Sequence, residues 1–128
     1  MRLLLDTHAL LWFQAGDRRL SQTARRAIEA DDAELLVSAA SVWEMAIKAS
    51  LGRLRLSDPV EAYMTKKIAQ GYRMLPVSWA HAAKVEALPW HHRDPFDRLL
   101  VAQAAEDGYT VVTRDSALDA YGIAILKA

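Results

Sequence analysis

The chain has 128 residues, 52% of them hydrophobic and 25% charged, with a mean hydropathy of −0.02 and sixteen basic residues against sixteen acidic. These proportions suit a single domain, residues 1–128, and exclude a disordered chain, which lacks the apolar surface to offset its ordering entropy. Neutrality disfavours a domain that holds nucleic acid by charge alone, and the absence of cysteine excludes disulfides, thiolate nucleophiles and thiolate metal sites. The apolar runs are too short to span a bilayer, and MRLLLD is too brief for a secretory signal, so a cytoplasmic protein is expected.

Leu3–Leu5 is the first of several short apolar runs, followed by Leu35–Val37, Tyr109–Val112 and Ile123–Leu126. Such runs, bounded by turn or cap residues, predict strands buried on both faces of a parallel sheet. Between them lie helical patterns with readable ends. Ser21 caps a helix carrying Ala24, Ala27 and Ile28, and Ser38 or Ser41 caps one with Val42, Met45, Ala46 and Ala49, stopped by Gly52. Asp58-Pro59 reads as a cap followed by proline at the first helical position, with Gly71 as the stop. Pro76 places Arg73–Val77 at a sheet edge, because proline donates nothing to a ladder. Ser78 opens a helix through Leu88, Asp94-Pro95 opens a longer one ending at Gly108, and Ser116–Tyr121 is a short helix before Gly122. Strands alternating with helices imply a three-layer α/β/α sandwich around a mostly parallel sheet of four to five strands.

In such a sheet ligands bind beyond the carboxyl ends of the strands. Asp6 follows the first strand, Asp115 follows the strand ending near Thr113, and Glu44 lies in the first turns of the helix leaving Leu35–Val37. Asp97 joins them if the Pro89–Asp94 loop brings the start of its helix to the same end. Four carboxylates without cysteine or clustered histidine suit a hard cation, Mg²⁺ or Mn²⁺. Crowded carboxylates raise one another's pKa values unless a cation offsets the repulsion, and bound cations welcome phosphate oxygens. Water attacking phosphorus in line then leaves a 3′-hydroxyl and a 5′-phosphate.

Each acid also has a structural explanation. Asp6, Asp94 and Asp115 stand at helix starts, Asp97 lies in a first turn where the helix dipole favours negative charge, and Ser41 and Glu44 have capping-box spacing. Glu44 and Lys48 form an i,i+4 pair. Capping alone, however, does not require acids from four separate elements to gather.

The segments LLLDTHALLW, SAASVWEMAIK, HHRDPFDRLLVAQA and VVTRDSALDAYG, in this order, resemble a PIN-domain ribonuclease, and more narrowly a VapC-type toxin of a toxin–antitoxin pair. The resemblance covers essentially the whole chain. It matches Asp6, Glu44 and Asp97 to the three core metal-binding acids and Asp115 to the more variable fourth. It implies a PIN-like fold, Mg²⁺- or Mn²⁺-dependent cleavage of RNA, a homodimer and inhibition by a small cognate antitoxin. Thr7, Asp94, Arg98, Thr113 and Arg114 adjoin the acids and are candidates to support them or to meet substrate. For Thr7 and Thr113 a local backbone hydrogen bond is the competing role, and for Arg98 and Arg114 it is a surface ion pair.

His91 and His92, beside Arg93, read first as a solvated turn pair and second as groups that touch substrate phosphate or assist proton transfer, and His8 as a packing or supporting residue. Trp43, Ile47 and Leu51 recur at i, i+4 and i+8 beside a second apolar stripe, the pattern of a helix either deeply buried or used in an interface. Core packing is the first expectation for Trp12, Phe13, Trp79 and Trp90. Two rival functions separate cleanly. A non-catalytic PIN-like RNA- or protein-binding module would bind without the acids and never cleave. A phospho-acceptor or phosphatase would want a second acid beside Asp6 or a late-strand lysine, whereas Asp6 is followed by Thr7 and His8 and no lysine directly follows the Tyr109–Val112 strand. With the four acids assigned to a metal site, sixteen basic residues face twelve acidic ones elsewhere.

Overall fold

Leu3, Leu4 and Leu5 are fully buried, so β1 (Arg2–Leu5) has no solvent face and must lie inside a sheet covered on both sides. The computed structural model, which describes residues 1–128, places it at the centre of five parallel strands. These are β1, β2 (Glu34–Ser38), β3 (Arg73–Leu75), β4 (Thr110–Thr113) and β5 (Ile125–Lys127), in the spatial order β3-β2-β1-β4-β5. Leu5 is level with Val37 on one side and Val112 on the other.

Alternation along β1 divides the core. Leu3 and Leu5 face a layer built from α1 (Thr7–Ala15), α2 (Gln22–Glu29), α3 (Ala39–Ser50) and α4 (Val60–Ala69), where Leu10, Ile28, Met45 and Met64 pack together. Leu4, Leu36 and Val111 face the opposite layer, which holds Leu100 and Val101 of α6 (Pro95–Asp107) and Leu118 of the 3-10 helix Ser116–Tyr121. The short α5 (Trp79–Lys84) precedes α6 and packs against it. The expected three-layer α/β/α sandwich is therefore present, with all five strands parallel.

Most helix ends follow the sequence. Ser21 accepts the Ala24 N–H, and Asp94 accepts those of Phe96 and Asp97 ahead of Pro95. Of the two candidate caps for α3, Ser38 serves, while Ser41 is buried a turn inside the helix. Four details differ. Pro59, with ψ at 151°, itself occupies the cap position of α4, and Asp58, one residue farther out, pairs with Lys66 instead. The Ser78 helix ends at Lys84 and tightens into a 3-10 turn, Val85–Ala87. The final strand starts at Ile125, because Ile123 packs against the α6 layer instead of joining the ladder. Trp79 and Trp90 are 85% and 76% exposed, so neither contributes to the core.

Arg98 departs most from expectation. It is 2% exposed and meets no acid or solvent. Its guanidinium donates to the carbonyl oxygens of Pro89, Val85, Leu88 and His92 and to the Tyr121 hydroxyl, and stacks 3.8 Å from the Trp90 ring centre. One planar fork thus fixes the Val85–His92 segment, which has little regular structure of its own. Arg98→Ala strands several carbonyls, and a lysine cannot reproduce the fork. Urea unfolding should show Arg98→Ala about 3 kcal/mol less stable than the wild type, with Arg98→Lys recovering less than half of the loss.

Candidate active site

From β1 the chain moves outward to β2 and β3, then returns across the sheet to β4 and β5. The reversal opens a crevice at the carboxyl ends of β1 and β4, where an open parallel sheet binds its ligands. Asp6 sits at this point. Its N–H continues the ladder to the Val112 carbonyl at 3.1 Å, and its Oδ1 caps α1 by accepting the Ala9 N–H at 2.8 Å. Capping occupies one carboxylate oxygen and leaves the other for the crevice.

Glu44 lies one turn farther into α3 than a capping box would place it, and no such box forms. The Thr7 hydroxyl donates to Glu44 Oε1 at 2.6 Å, and the Lys48 ammonium donates to Oε2 at 2.8 Å. Asp97 stands in the first turn of α6, which the Pro89–Asp94 loop does bring to this end of the sheet. Asp115 follows β4, caps the closing 3-10 helix by accepting the Ala117 N–H, and donates its own backbone N–H to Thr113 Oγ1.

Together these elements enclose a cleft of about 200 Å³ lined by Asp6, Thr7, His8, Glu44, Lys48, His92, Asp94, Asp97, Arg114 and Asp115, with no hydrophobic residue among them. All four predicted acids are present, as are Thr7, Asp94 and Arg114. Thr113 is fully buried beneath the cleft, where its hydroxyl also faces Asp6. Arg98 is spent on the loop carbonyls and cannot reach a ligand here. His8 lines the wall and stacks on Trp12, with ring centres 5.6 Å apart.

His92 is the residue that sequence reasoning misplaced. Far from being a solvated turn residue, it holds Nε2 at 2.5 Å from Asp115 Oδ2 and 3.3 Å from Asp97 Oδ2. The Asp94 N–H donates to Nδ1 at 2.9 Å, so in the neutral ring the proton sits on Nε2 and points at the acids. One atom each from His92, Asp97 and Asp115 lies within 4.8 Å of the other two, a spacing that would admit a cation. With Nδ1 engaged and Nε2 protonated, however, the imidazole acts as a donor, leaving oxygen as the ligand chemistry. That donor set fits Mg²⁺ or Mn²⁺. Only its position two residues before the Asp94 cap, within reach of that residue's N–H, could have singled out His92 from the histidine pair.

The electrostatics show the cost of crowding. Burial pushes the Asp6 carboxyl up, with the Thr113 hydroxyl and Ala9 N–H opposing it. Burial, with the charges of Asp94 and Asp6, pushes Asp97 up to about 7. Asp115 is the more open acid. Partial burial raises it, but hydrogen bonds from His92 and the Ala117 N–H outweigh that and hold it below the usual carboxylate range.

A parallel α/β sandwich with an acidic crevice at its topological switch point belongs to the open-sheet α/β folds that bind ligands beyond the carboxyl ends of their strands. The family model for the PIN domain matches residues 3–124, and the chain belongs to that family. It is 39% identical over 117 residues to Ribonuclease VapC22 of Mycobacterium tuberculosis, covering 91% of this chain and 88% of that protein. Among solved structures, VapBC2 of Rickettsia felis bound to a promoter DNA fragment superposes with a TM-score of 0.72, at 11% identity and covering 98% of each chain. VapC20 of M. tuberculosis, described as a toxin that cleaves the sarcin–ricin loop, gives 0.69 at 18% identity, covering 98% of this chain and 99% of that one. These structural matches share the fold observed here.

A carboxyl group whose folded pKa is raised stabilises the protein below its unfolded pKa, and that stability is lost as pH rises through the folded value. Asp97 therefore makes the protein in EDTA less stable between about pH 4 and pH 7, by an amount on the order of a few kcal/mol. Asp97→Asn removes the charge, so thermal melts in EDTA at pH 8 should place its Tm above the wild type. Mn²⁺ should raise the wild-type Tm and leave that of Asp97→Asn nearly unchanged.

Proposed function

We propose that this chain is an RNA endonuclease dependent on Mg²⁺ or Mn²⁺, acting in the cytoplasm as the toxin of a toxin–antitoxin pair. The reading rests on the convergence of Asp6, Glu44, Asp97 and Asp115 from four separate elements in one cleft without apolar lining. The likeness to a VapC ribonuclease supports RNA as the substrate, and the VapBC complex among the structural relatives supports a small antitoxin as partner. No helix is long and apolar enough to cross a membrane.

Asp6, Glu44, Asp97 and Asp115 would hold the cation. Bound there, it supplies the charge that offsets the crowded carboxylates and the acidity that makes water a nucleophile toward phosphorus. The protein supplies orientation. Thr7 and Lys48 engage one Glu44 oxygen each, Ala9 N–H fixes Asp6, and His92 fixes Asp115, so the acids keep their places without reorganising. Lys48 and Arg114 are the fixed cations of the cleft wall and face the approach of a phosphodiester. In-line hydrolysis leaves a 3′-hydroxyl and a 5′-phosphate.

The exposed stripe on α3 supplies a seam for the expected homodimer. Trp43 is 58% exposed and Leu51 61%, with Ile47 between them, an apolar face that a second copy of the same helix covers symmetrically. Sedimentation velocity should show the Leu51→Glu, Trp43→Glu double variant as a monomer where the wild type is a dimer. A wild-type monomer, or a variant that still dimerises, removes this seam.

Purified protein incubated with total cellular RNA should cut it with Mg²⁺ or Mn²⁺, give no cleavage in excess EDTA, and leave 5′-phosphate ends. Asp6→Asn and Asp97→Asn should each slow cleavage by at least about 100-fold, the scale of removing one electrostatic group from a reacting centre. Cleavage that persists in EDTA contradicts the proposal. RNA binding without cleavage under either metal replaces it with the non-catalytic module.

A further inference from the structure

Trp90 is 76% exposed, yet it is not loose. The Arg98 guanidinium lies 3.8 Å from the ring centre, and the same guanidinium is locked by the carbonyls on both sides of the ring in sequence, Leu88 and Pro89 before it and His92 after it. Tyr121 reinforces the loop, donating its hydroxyl to the Pro89 carbonyl at 2.8 Å and accepting the His92 N–H at 3.1 Å. A large aromatic ring is thus held out into solvent from a rigid mount. It stands two residues before His92, which lines the acidic cleft, so at most about 7 Å of backbone separates them. Core packing does not use it, and the apolar stripe of α3 does not include it.

We infer that Trp90 is a base-stacking residue, on which an unpaired nucleotide flanking the cleaved phosphodiester rests while that phosphate occupies the cleft. The inference rests on the RNA-nuclease reading above and adds to it how single-stranded substrate is positioned. Three observations carry it. The ring is preorganised, so stacking does not have to freeze a mobile side chain. Arg98 occupies one face, which leaves the remaining exposed surface for a base. Two residues that follow it, His91 and Arg93, are exposed and polar or basic, as on a surface that tracks a phosphate chain. Stacking is tolerant of base identity, so Trp90 contributes affinity and register rather than a sequence code.

The test compares wild type, Trp90→Ala and Trp90→Phe on a short single-stranded RNA in Mn²⁺, with kcat and KM measured separately and the oligomeric state followed by sedimentation. Trp90→Ala should raise KM at least about 10-fold with little change in kcat, as expected for one lost stacked base. Trp90→Phe, which keeps a ring, should recover most of the loss. The dependence of KM on salt should keep its wild-type slope, because the ring neutralises no phosphate. Quenching of Trp90 fluorescence by RNA, absent in Trp90→Phe, supplies a readout independent of turnover. An unchanged KM in Trp90→Ala overturns the inference while leaving the nuclease intact, and so does a loss that phenylalanine does not recover. A Trp90→Ala variant altered in sedimentation but not in KM assigns the ring to a protein contact and overturns it as well. Wild-type protein that cuts no RNA with either metal takes down both this inference and the function it rests on.

Discussion

Negative charges held together where β1 and β4 end are the constraint around which this protein is arranged. Carboxylates repel one another most where water is scarce, and Asp6 is only 8% exposed. The fold answers by aiming donors at them from several elements. Ala9 N–H and the Thr113 hydroxyl serve Asp6, Thr7 and Lys48 serve Glu44, and His92 serves Asp115. Asp97 receives the least, with only the His92 nitrogen 3.3 Å away, and its carboxyl is the one driven up to about 7. The uncompensated cost of burial and repulsion is therefore concentrated on one acid, at the start of a helix whose dipole offsets only part of it.

What the sequence revealed and what it concealed divide along a physical line. Leu3–Leu5 and Leu35–Val37 were legible as strands because burial on both faces demands continuous apolar runs. Asp94-Pro95 and Ser21 were legible because caps act within three residues. The acids could be placed because a parallel sheet dictates where its carboxyl ends lie. His92 was hidden because its role depends on Asp115, twenty-three residues away, and on a backbone N–H that only the folded turn presents. The exposure of Trp79 and Trp90 was hidden for a related reason. A tryptophan's apolar area argues for the interior, and only the packed structure shows that no element covers it.

Asp97 and Arg98 show how sharply a helix separates neighbours. Adjacent residues on α6 project about 100° apart, so one joins the acids while the other turns into the protein beneath the preceding loop. By proximity in sequence Arg98 was offered a surface ion pair, or else a contact with the acid or with phosphate. It serves by holding the carbonyls of the segment that carries His92, and the position of the site's only imidazole donor to Asp115 follows from hydrogen bonds made on the far side of the loop.

The order of the strands also orders events in time. Asp6 stands near the beginning of the chain and Asp115 near its end, and β4, which positions Asp115, pairs directly with β1. A ribosome makes the first of these acids 109 residues before the last. Until the returning strand slots beside the first one, the earlier acids have no common cleft, and the growing polypeptide is spared both their mutual repulsion and whatever chemistry they perform. Assembly of the centre therefore waits for β4, the strand that brings Asp115 beside Asp6.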